Sequence, residues 1–342
     1  MAMKSDRRAF LKGSVAAVAA GATAGAAMWP INALAATTLD LSEVLPEDNW
    51  QTVQLKAFSQ ALAERTSGEV NIRVHSGGAL GFKGPEHLRA VADGLVPMAD
   101  LLGAQQTGDL PLFKAENLHF LISGPDELKI FHKYWKPEIF RIVEERFNQK
   151  FLTTVPSPVS GLYMNVAAKT IDDLRNLRMR GASATDAESY DLIGMAGIQI
   201  PWGELIPALA TGRVDGVGTS YTSGVDGKFW EFLKYIYPTN HVWSSNFTTI
   251  NLDTWNSLSK QNQDAMLELA AEFEPQFWAN SKALGDAALE TMVAKGMQVY
   301  DMPDGLLAEM QARTRPNIDR YIAEVPEAGP MIKAYLEEVG RA

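Results

Sequence analysis

Between residues 52 and 102 the sequence alternates helical and strand patterns, and this order restricts the fold more than any other feature. Leu55, Phe58 and Leu62 recur at helical spacing, which predicts a helix over 52–66. Apolar residues then alternate over 70–74, the pattern of a strand, and a second helix (85–93) and strand (98–102) follow. Such an order predicts an α/β fold with a largely parallel sheet.

The middle of the chain repeats this alternation. It predicts strands at 163–166, 177–180, 198–201 and 214–218, with helices at 186–195 and 204–210. A chain of 342 residues usually forms two domains, and no Pro/Gly/Ser-rich linker divides this one. We therefore expect two α/β domains, several chain crossings between them, and a cleft and hinge at their junction.

Two long elements bear on how the domains connect. The pattern of residues 241–253 is that of an unusually long strand, able to run through two sheets. The pattern of 259–295 predicts a long helix that spans both domains. We expect hinges near residues 160 and 249. The predicted ranges are 36–160 plus 249–288 for domain I, and 161–248 plus 289–342 for domain II.

The N-terminal residues have the pattern of an export signal. SDRRAFLK (5–12) is a twin-arginine signature, an Ala/Gly-rich run (13–28) follows, and ALA (33–35) provides a small-residue cleavage site. The apolar run is shorter and less hydrophobic than the roughly 20 strongly apolar residues that a transmembrane helix needs. We expect residues 1–35 to be a signal peptide, with Ala36 the first residue of a periplasmic protein.

Charge and composition exclude several classes of function. The sequence has 41 acidic and 31 basic residues, a net charge of −10, so nucleic-acid binding is not expected. It has no cysteine, which excludes disulfides, a thiol nucleophile and lipid attachment through cysteine. The five histidines lack a zinc-ligand spacing, and the glycine-rich stretches 77–83 and 216–218 lack a nucleotide fingerprint. We expect no catalytic residue, metal or cofactor.

A group suited to binding an anion does remain. Arg180 ends a short predicted strand before a glycine, so it would project at the edge of the sheet where ligands bind in α/β folds. A guanidinium pairs with a carboxylate through two hydrogen bonds. An isolated arginine is, however, more often a solvated surface group, and this alternative stays open on the residue alone.

Several segments together resemble a known family. IDDLRNLRMR (171–180), PWGELIPALATGRVDG (201–216) and VHSGGALG (74–81) are similar to signatures of the DctP-type solute receptors of TRAP (tripartite ATP-independent periplasmic) transporters. Residues 240–241 and 255–258 resemble later landmarks of that family. The resemblance extends in order over essentially all of the chain after residue 35.

The resemblance implies a two-domain periplasmic binding protein that closes over an organic acid and delivers it to membrane permease subunits. The arginine that pairs with the ligand carboxylate in the family falls on Arg180. A pocket aromatic falls on Trp202, for which a core position is the alternative. The family's asparagine after Asp-Gly falls near Thr219, whose hydroxyl can donate a hydrogen bond to a carboxylate.

Departures from the family pattern bear on the ligand. Gly218 and Thr219 stand where many members have Glu and Asn, and Tyr163 stands nearest to the second arginine of sialate and dicarboxylate receptors. We therefore expect a monocarboxylate with an uncharged, bulky or aromatic remainder. Phe82 and Gln105 are further candidates for the cleft.

Other functional classes remain as alternatives. An exported enzyme acting on a carboxylate would need a positioned base or a bound cofactor, and the sequence offers neither. A structural or adhesive protein would not require an arginine at the end of a strand facing a cleft. Some members of the family are dimers, so a monomer and a homodimer both stay open.

Overall fold

The computed structural model describes residues 36–341, and the expected signal peptide at 1–35 lies outside the described residues. Its strands are β1 Thr37–Ser42, β2 Val70–His75, β3 Met98–Leu102, β4 Gln149–Pro156, β5 Ser160–Met164, β6 Arg178–Gly181, β7 Ala196–Gln199, β8 Gly216–Ser220, β9 Tyr235–Tyr237, β10 Ser245–Asn251 and β11 Gln298–Val299. Its helices are α1 Trp50–Arg65, α2 His87–Ala92, α3 Pro125–Phe147, α4 Ala184–Ile193, α5 Trp202–Ala210, α6 Tyr221–Asp226, α7 Leu252–Ser257, α8 Lys260–Ala294, α9 Asp304–Thr314, α10 Pro316–Glu324 and α11 Ala328–Glu338.

The first lobe is built on a five-stranded sheet in the order β2-β1-β3-β10-β4. β1 pairs in parallel with β2 and β3, as expected for helix-connected strands. β10 enters this sheet from the other half of the chain and pairs antiparallel with both β3 and β4. The sheet is therefore mixed rather than largely parallel.

The second lobe is built on a six-stranded sheet in the order β11-β9-β5-β8-β6-β7. β6 pairs in parallel with β7 and β8, while β5 pairs antiparallel with β8 and β9. Together the two sheets and their helices form the two-lobed α/β fold that the sequence predicts, and the prediction of fold class is confirmed.

The chain crosses between the lobes at residues 157–159, between β4 and β5, and at 238–244, between β9 and β10. The two crossings touch, because the backbone N–H of Ser157 donates to the carbonyl of Ser244 at 2.8 Å. Gly285 of α8 packs against the first crossing, where an added Cβ would lie 3.2 Å from Cβ of Pro158. The crossings and α8 therefore form one closely packed connection.

α8 spans both lobes, as the sequence predicts. Met266 and Leu269, in its first half, are buried in a cluster with residues of β1 and α1. Ala288 and Met292, near its end, are buried in a cluster with residues of the second sheet. The same helix thus contributes to the core of each lobe.

Two parts of the chain lie elsewhere than the expected domain ranges. β10 begins at Ser245 and pairs only in the first sheet, so the second crossing precedes residue 249 and β10 does not run through both sheets. α10 and α11, near the C-terminus, are buried against α3 in the first lobe through Ile318, Tyr321 and Tyr335. An apolar face indicates that a helix packs on a core but not on which one, so the tertiary packing assigns α10 and α11 to the first lobe.

Within residues 36–341, no helix is long and apolar enough to cross a membrane.

Candidate ligand-binding site

A cavity of about 100 Å³ lies between the lobes and is lined by residues of both. The first lobe contributes mainly side chains with amides and one indole, namely Asn49, Trp50, Gln51, Gln105, Asn117 and Asn246. The second lobe contributes Arg180, Asp186, Trp202, Thr219, Thr222 and Ser223. We call this space the ligand cavity.

Arg180 is the cationic side chain of the ligand cavity. It lies in β6, is only 2% exposed, and donates from Nε to the carbonyl of Ile200 at 2.9 Å. Its two terminal amino groups have no hydrogen-bond acceptor among residues 36–341. Burial lowers the pKa of Arg180 to about 10, although nearby Asp186 and Tyr190 favour its charged form. A buried guanidinium with free amino groups is suited to pairing with an anion.

Asp186 is the carboxylate in the lining of the cavity, and its own hydrogen bonds occupy it. Oδ1 is 3.2 Å from Nε2 of His119, and Oδ2 accepts from the backbone N–H groups of Ala182 and Ser183 at 2.9 and 3.1 Å. Burial raises the pKa of Asp186, but His119 and these backbone groups outweigh it and hold the pKa below its usual value. Asp186 therefore offsets the charge of Arg180 without binding its guanidinium, and no ion pair joins them within the described part of the chain.

Trp202 and Thr219 also line the cavity. Trp202 is the first residue of α5, and its side chain also packs, partly buried, against the core of the second lobe. Thr219 lies in β8, opposite Gly161 of β5. Arg180, Trp202, Thr219 and Gln105 are thus brought together around one space.

Tyr163 does not line the cavity, contrary to the expectation from the sequence. It is completely buried in the core of the second lobe, its ring edge-to-face with Phe229 at 5.1 Å. Its hydroxyl donates to the carbonyl of Ser220 at 3.2 Å. The alternation of β5 directs this side chain to the core, and burial raises the pKa of Tyr163 well above its usual value.

Phe82 is likewise outside the cavity lining. It packs against a small cluster of the first lobe that includes Val91 and Val96. Gly218 does line the cavity, but it does not simply enlarge it, because an added Cβ would lie 1.7 Å from the hydroxyl of Tyr190. The glycine is required by Tyr190, whose hydroxyl lies 3.1 Å from Nε2 of His241.

Trp50, Asn49 and the other amide side chains of the first lobe were not predicted from the sequence. Asn49 carries a local signal, since it precedes the first helix and its side chain caps that helix by accepting from the N–H of Gln51 at 2.8 Å. Trp50, the first residue of α1, carries none, because only the arrangement of the two lobes brings it opposite the second lobe.

Hydrogen bonds join the lobes around the cavity. Asn117 of the first lobe accepts from the hydroxyl of Ser183 at 2.6 Å, and Nε2 of Gln105 donates to the carbonyl of Ala182 at 3.2 Å. At the surface, Lys83 pairs with Glu204 at 2.8 Å. Among the described residues, no group of three or more His, Asp or Glu side chains could hold a metal ion.

Two α/β lobes on either side of a cavity that is lined by amides, hydroxyls, two indoles and a buried arginine are typical of a solute-binding protein. A family model described as bacterial extracellular solute-binding protein, family 7 (DctP), matches residues 41–324. The chain therefore belongs to the DctP family, the solute receptors of TRAP transporters, and it is a binding protein rather than an enzyme.

Relatives and solved structures agree with this membership. The 2,3-diketo-L-gulonate-binding periplasmic protein YiaO of Escherichia coli is 23% identical over 92% of this chain and 96% of its own. DctP7 of Bordetella pertussis, which binds pyroglutamic acid, is 25% identical with a TM-score of 0.85 over 88% of this chain and 99% of its own. A pyroglutamate-specific TRAP protein from a marine metagenome is 26% identical with a TM-score of 0.84, over 88% and 99%.

Proposed function

We propose that the protein is the periplasmic receptor for a compact monocarboxylic acid, which it binds in the ligand cavity and delivers to a TRAP permease. The observation that carries this proposal is Arg180, a buried guanidinium whose terminal amino groups are free beside the cavity. A carboxylate bound there would accept two charge-assisted hydrogen bonds and neutralise a charge that burial disfavours.

The number of charged groups supports a single carboxylate on the ligand. Among residues 36–341, Arg180 is the one cationic side chain in the lining, and Asp186 is already hydrogen-bonded to His119. A second carboxylate would therefore lie against amides and hydroxyls with no cation to balance it. We propose that Thr219 donates a hydrogen bond to the bound carboxylate and that Gln105 contacts the remainder of the ligand.

The size and lining of the cavity support a small, planar remainder. An apolar protein cavity of about 150 Å³ can hold benzene, and the ligand cavity measures about 100 Å³. One small ring suits this space better than the bulky group expected from the sequence. Trp50 and Trp202 line the cavity from opposite lobes and offer flat apolar contacts to such a ring. Pyroglutamate, which two similar proteins bind, has this chemistry: one carboxylate on a five-membered lactam.

Export and closure complete the proposal. We propose that residues 1–35 direct the protein to the periplasm by the twin-arginine route and are then removed. The two domains, with the ranges given above adjusted at β10 and at α10–α11, would close over the ligand by bending at the crossings 157–159 and 238–244.

Thermal unfolding of the purified protein against matched ligands tests this function. Pyroglutamate, 2-pyrrolidone (the same ring without a carboxylate) and glutarate (a dicarboxylate) form the central set. A ligand at 100 times its Kd stabilises a protein by about 2.7 kcal/mol, which is several degrees in Tm for a chain of this size. We expect such a shift with pyroglutamate or another compact monocarboxylate and none with 2-pyrrolidone. An equal shift with 2-pyrrolidone, or a larger one with glutarate, would contradict the proposal.

A further inference from the structure

Gln105 lies between two spaces in the cleft. It lines the ligand cavity, and it also lines a second space of about 520 Å³, which we call the second cleft. The second cleft, too, lies between the lobes, lined from the first lobe by Thr107 and Lys114 and from the second by Thr185, Glu188 and Gln199. Gln105 is the one residue of the described chain that borders both spaces.

The side chain of Gln105 is held in this position from both sides. Its Nε2 donates to the carbonyl of Ala182, across the lobes, at 3.2 Å. Its Oε1 is buried without a hydrogen-bond partner in the described residues, and it packs against Gly84, where an added Cβ would lie only 2.0 Å away. We call the contact between Gln105 and Ala182 the partition, because Gln105 borders both the ligand cavity and the second cleft.

The second cleft is lined by many polar side chains, and its acidic residues, Asp109, Glu188 and Glu324, outnumber Lys114, its basic residue in the described chain. Nζ of Lys114 donates to Glu188 at 2.8 Å, so these two charges pair with each other across the lobes. Thr107, Thr185 and Gln199 supply hydroxyl and amide groups. An uncharged polar chain would find hydrogen-bond partners there, whereas a second carboxylate would meet an excess of acidic side chains, with Lys114 already paired to Glu188.

We infer that Gln105 sets the maximum length of the ligand, by closing the ligand cavity on the side that faces the second cleft. This inference rests on the proposed function, since it concerns acids anchored by Arg180. A compact acid fits within the partition. A longer acid would have to displace the amide of Gln105 and break its bond to Ala182, and the unpaired polar groups left behind oppose its binding.

Binding of a homologous series of acids tests the inference. The probes are straight-chain ω-hydroxy monocarboxylates of four, six, eight and ten carbon atoms, with pyroglutamate as the compact reference, measured by calorimetry. Gln105→Ala removes the partition and the bond to Ala182. Gln105→Met removes the bond but keeps a side chain of similar length, so it is the matched control. Gln105→Asn shortens the side chain by one carbon and should give an intermediate effect.

We expect Gln105→Ala to raise the affinity for long acids relative to the compact acid by at least about tenfold, the scale on which pocket size discriminates between ligands. Gln105→Met loses the bond to Ala182 but keeps a side chain of similar length in place, so it should raise this ratio clearly less than Gln105→Ala does. A ratio unchanged in Gln105→Ala, or raised equally in Gln105→Met, would overturn the inference while the compact acid still bound the wild type. Failure of the proposed function would differ, because the wild type would then bind no monocarboxylate.

Discussion

Asn49 and Asp226 are joined across the two lobes by a hydrogen bond of 2.6 Å, from the side-chain amide to a carboxylate oxygen. The other end of the amide of Asn49 caps α1 by accepting from the N–H of Gln51. Capping therefore fixes the orientation of the amide that reaches Asp226. Burial raises the pKa of Asp226 to about 6, although the bond from Asn49 acts in the opposite direction.

This raised pKa predicts how stability depends on pH. The folded protein holds the proton of Asp226 at pH values where the unfolded chain has lost it, so the contribution to stability is full below about pH 4 and is lost as pH rises through about 6. Asp226→Asn should remove this dependence. Between pH 4 and pH 7, the free energy of unfolding of the wild type should therefore fall by about 1–2 kcal/mol more than that of Asp226→Asn.

Urea unfolding at pH values from 4 to 7 measures this difference. Asp301→Asn is the control, since Asp301 is an exposed acid of the second lobe and its substitution removes the same charge. Parallel pH profiles for the wild type and Asp226→Asn would show that the buried carboxyl does not titrate as stated.

A second prediction concerns two arginines of the same strand. Arg180→Met should weaken carboxylate binding by about 100-fold or more, because two charge-assisted hydrogen bonds are lost. Arg178, two residues earlier, is exposed and donates from Nε and Nη2 to Asp215 at 2.8 and 2.6 Å. Arg178→Met should leave the ligand Kd within about a factor of two, since an exposed ion pair contributes little. Titration calorimetry with one monocarboxylate compares the two variants.

The stability of Arg180→Met without ligand distinguishes a ligand-binding residue from a structural one. Relief of the buried charge of Arg180 offsets the lost bond to Ile200, so Arg180→Met should change the free energy of unfolding of the ligand-free protein by no more than about 1 kcal/mol. If Arg180→Met instead unfolds the protein, Arg180 is a structural residue, and loss of binding would not identify it as the anchor.

Gly218 provides a third prediction. A methyl group at this position would lie 1.7 Å from the hydroxyl of Tyr190 and 3.2 Å from Nε2 of His241. Gly218→Ala should therefore destabilise the protein by about 1–3 kcal/mol through overpacking. The double variant with Tyr190→Phe should recover part of this loss, because the hydroxyl is the nearest clashing group.

Denaturant unfolding of the two single variants and the double variant forms a double-mutant cycle. An additive cycle would mean that the backbone moves away from Tyr190 and that the glycine is not required by the contact.

The sequence predicted the elements whose signals are local. α8 and the strands β2 and β3 follow directly from the spacing of apolar residues, which reflects one buried face. The membership of β10 in the first sheet alone, and of α10 and α11 in the first lobe, depends on pairing between distant segments. No periodicity within a segment specifies such pairing, so the domain ranges were displaced there.

Two expected residues reach the cavity lining by different signals. Arg180 follows from the pattern of a short strand that ends before a glycine, whereas Trp202 follows only from the resemblance to the family. The expectation of Tyr163 in the pocket comes from its alignment with the second arginine of related receptors, and alternation along β5 does not indicate which face of the strand meets the core. Asn49 and Trp50 join the cavity only through the arrangement of the lobes, which leaves no mark near them in the sequence.

The different surroundings of Tyr163 and Trp202 give a fourth prediction. Tyr163→Phe removes a buried hydroxyl that donates to Ser220, so it should lower stability by about 1 kcal/mol and leave ligand affinity within about a factor of two. Trp202→Ala removes an indole that lines the ligand cavity, so it should weaken binding by about tenfold or more. Measuring unfolding and binding on both variants separates a core aromatic from a ligand contact. A large loss of affinity in Tyr163→Phe, with normal binding by Trp202→Ala, would contradict both assignments and show that Tyr163 rather than Trp202 contacts the ligand.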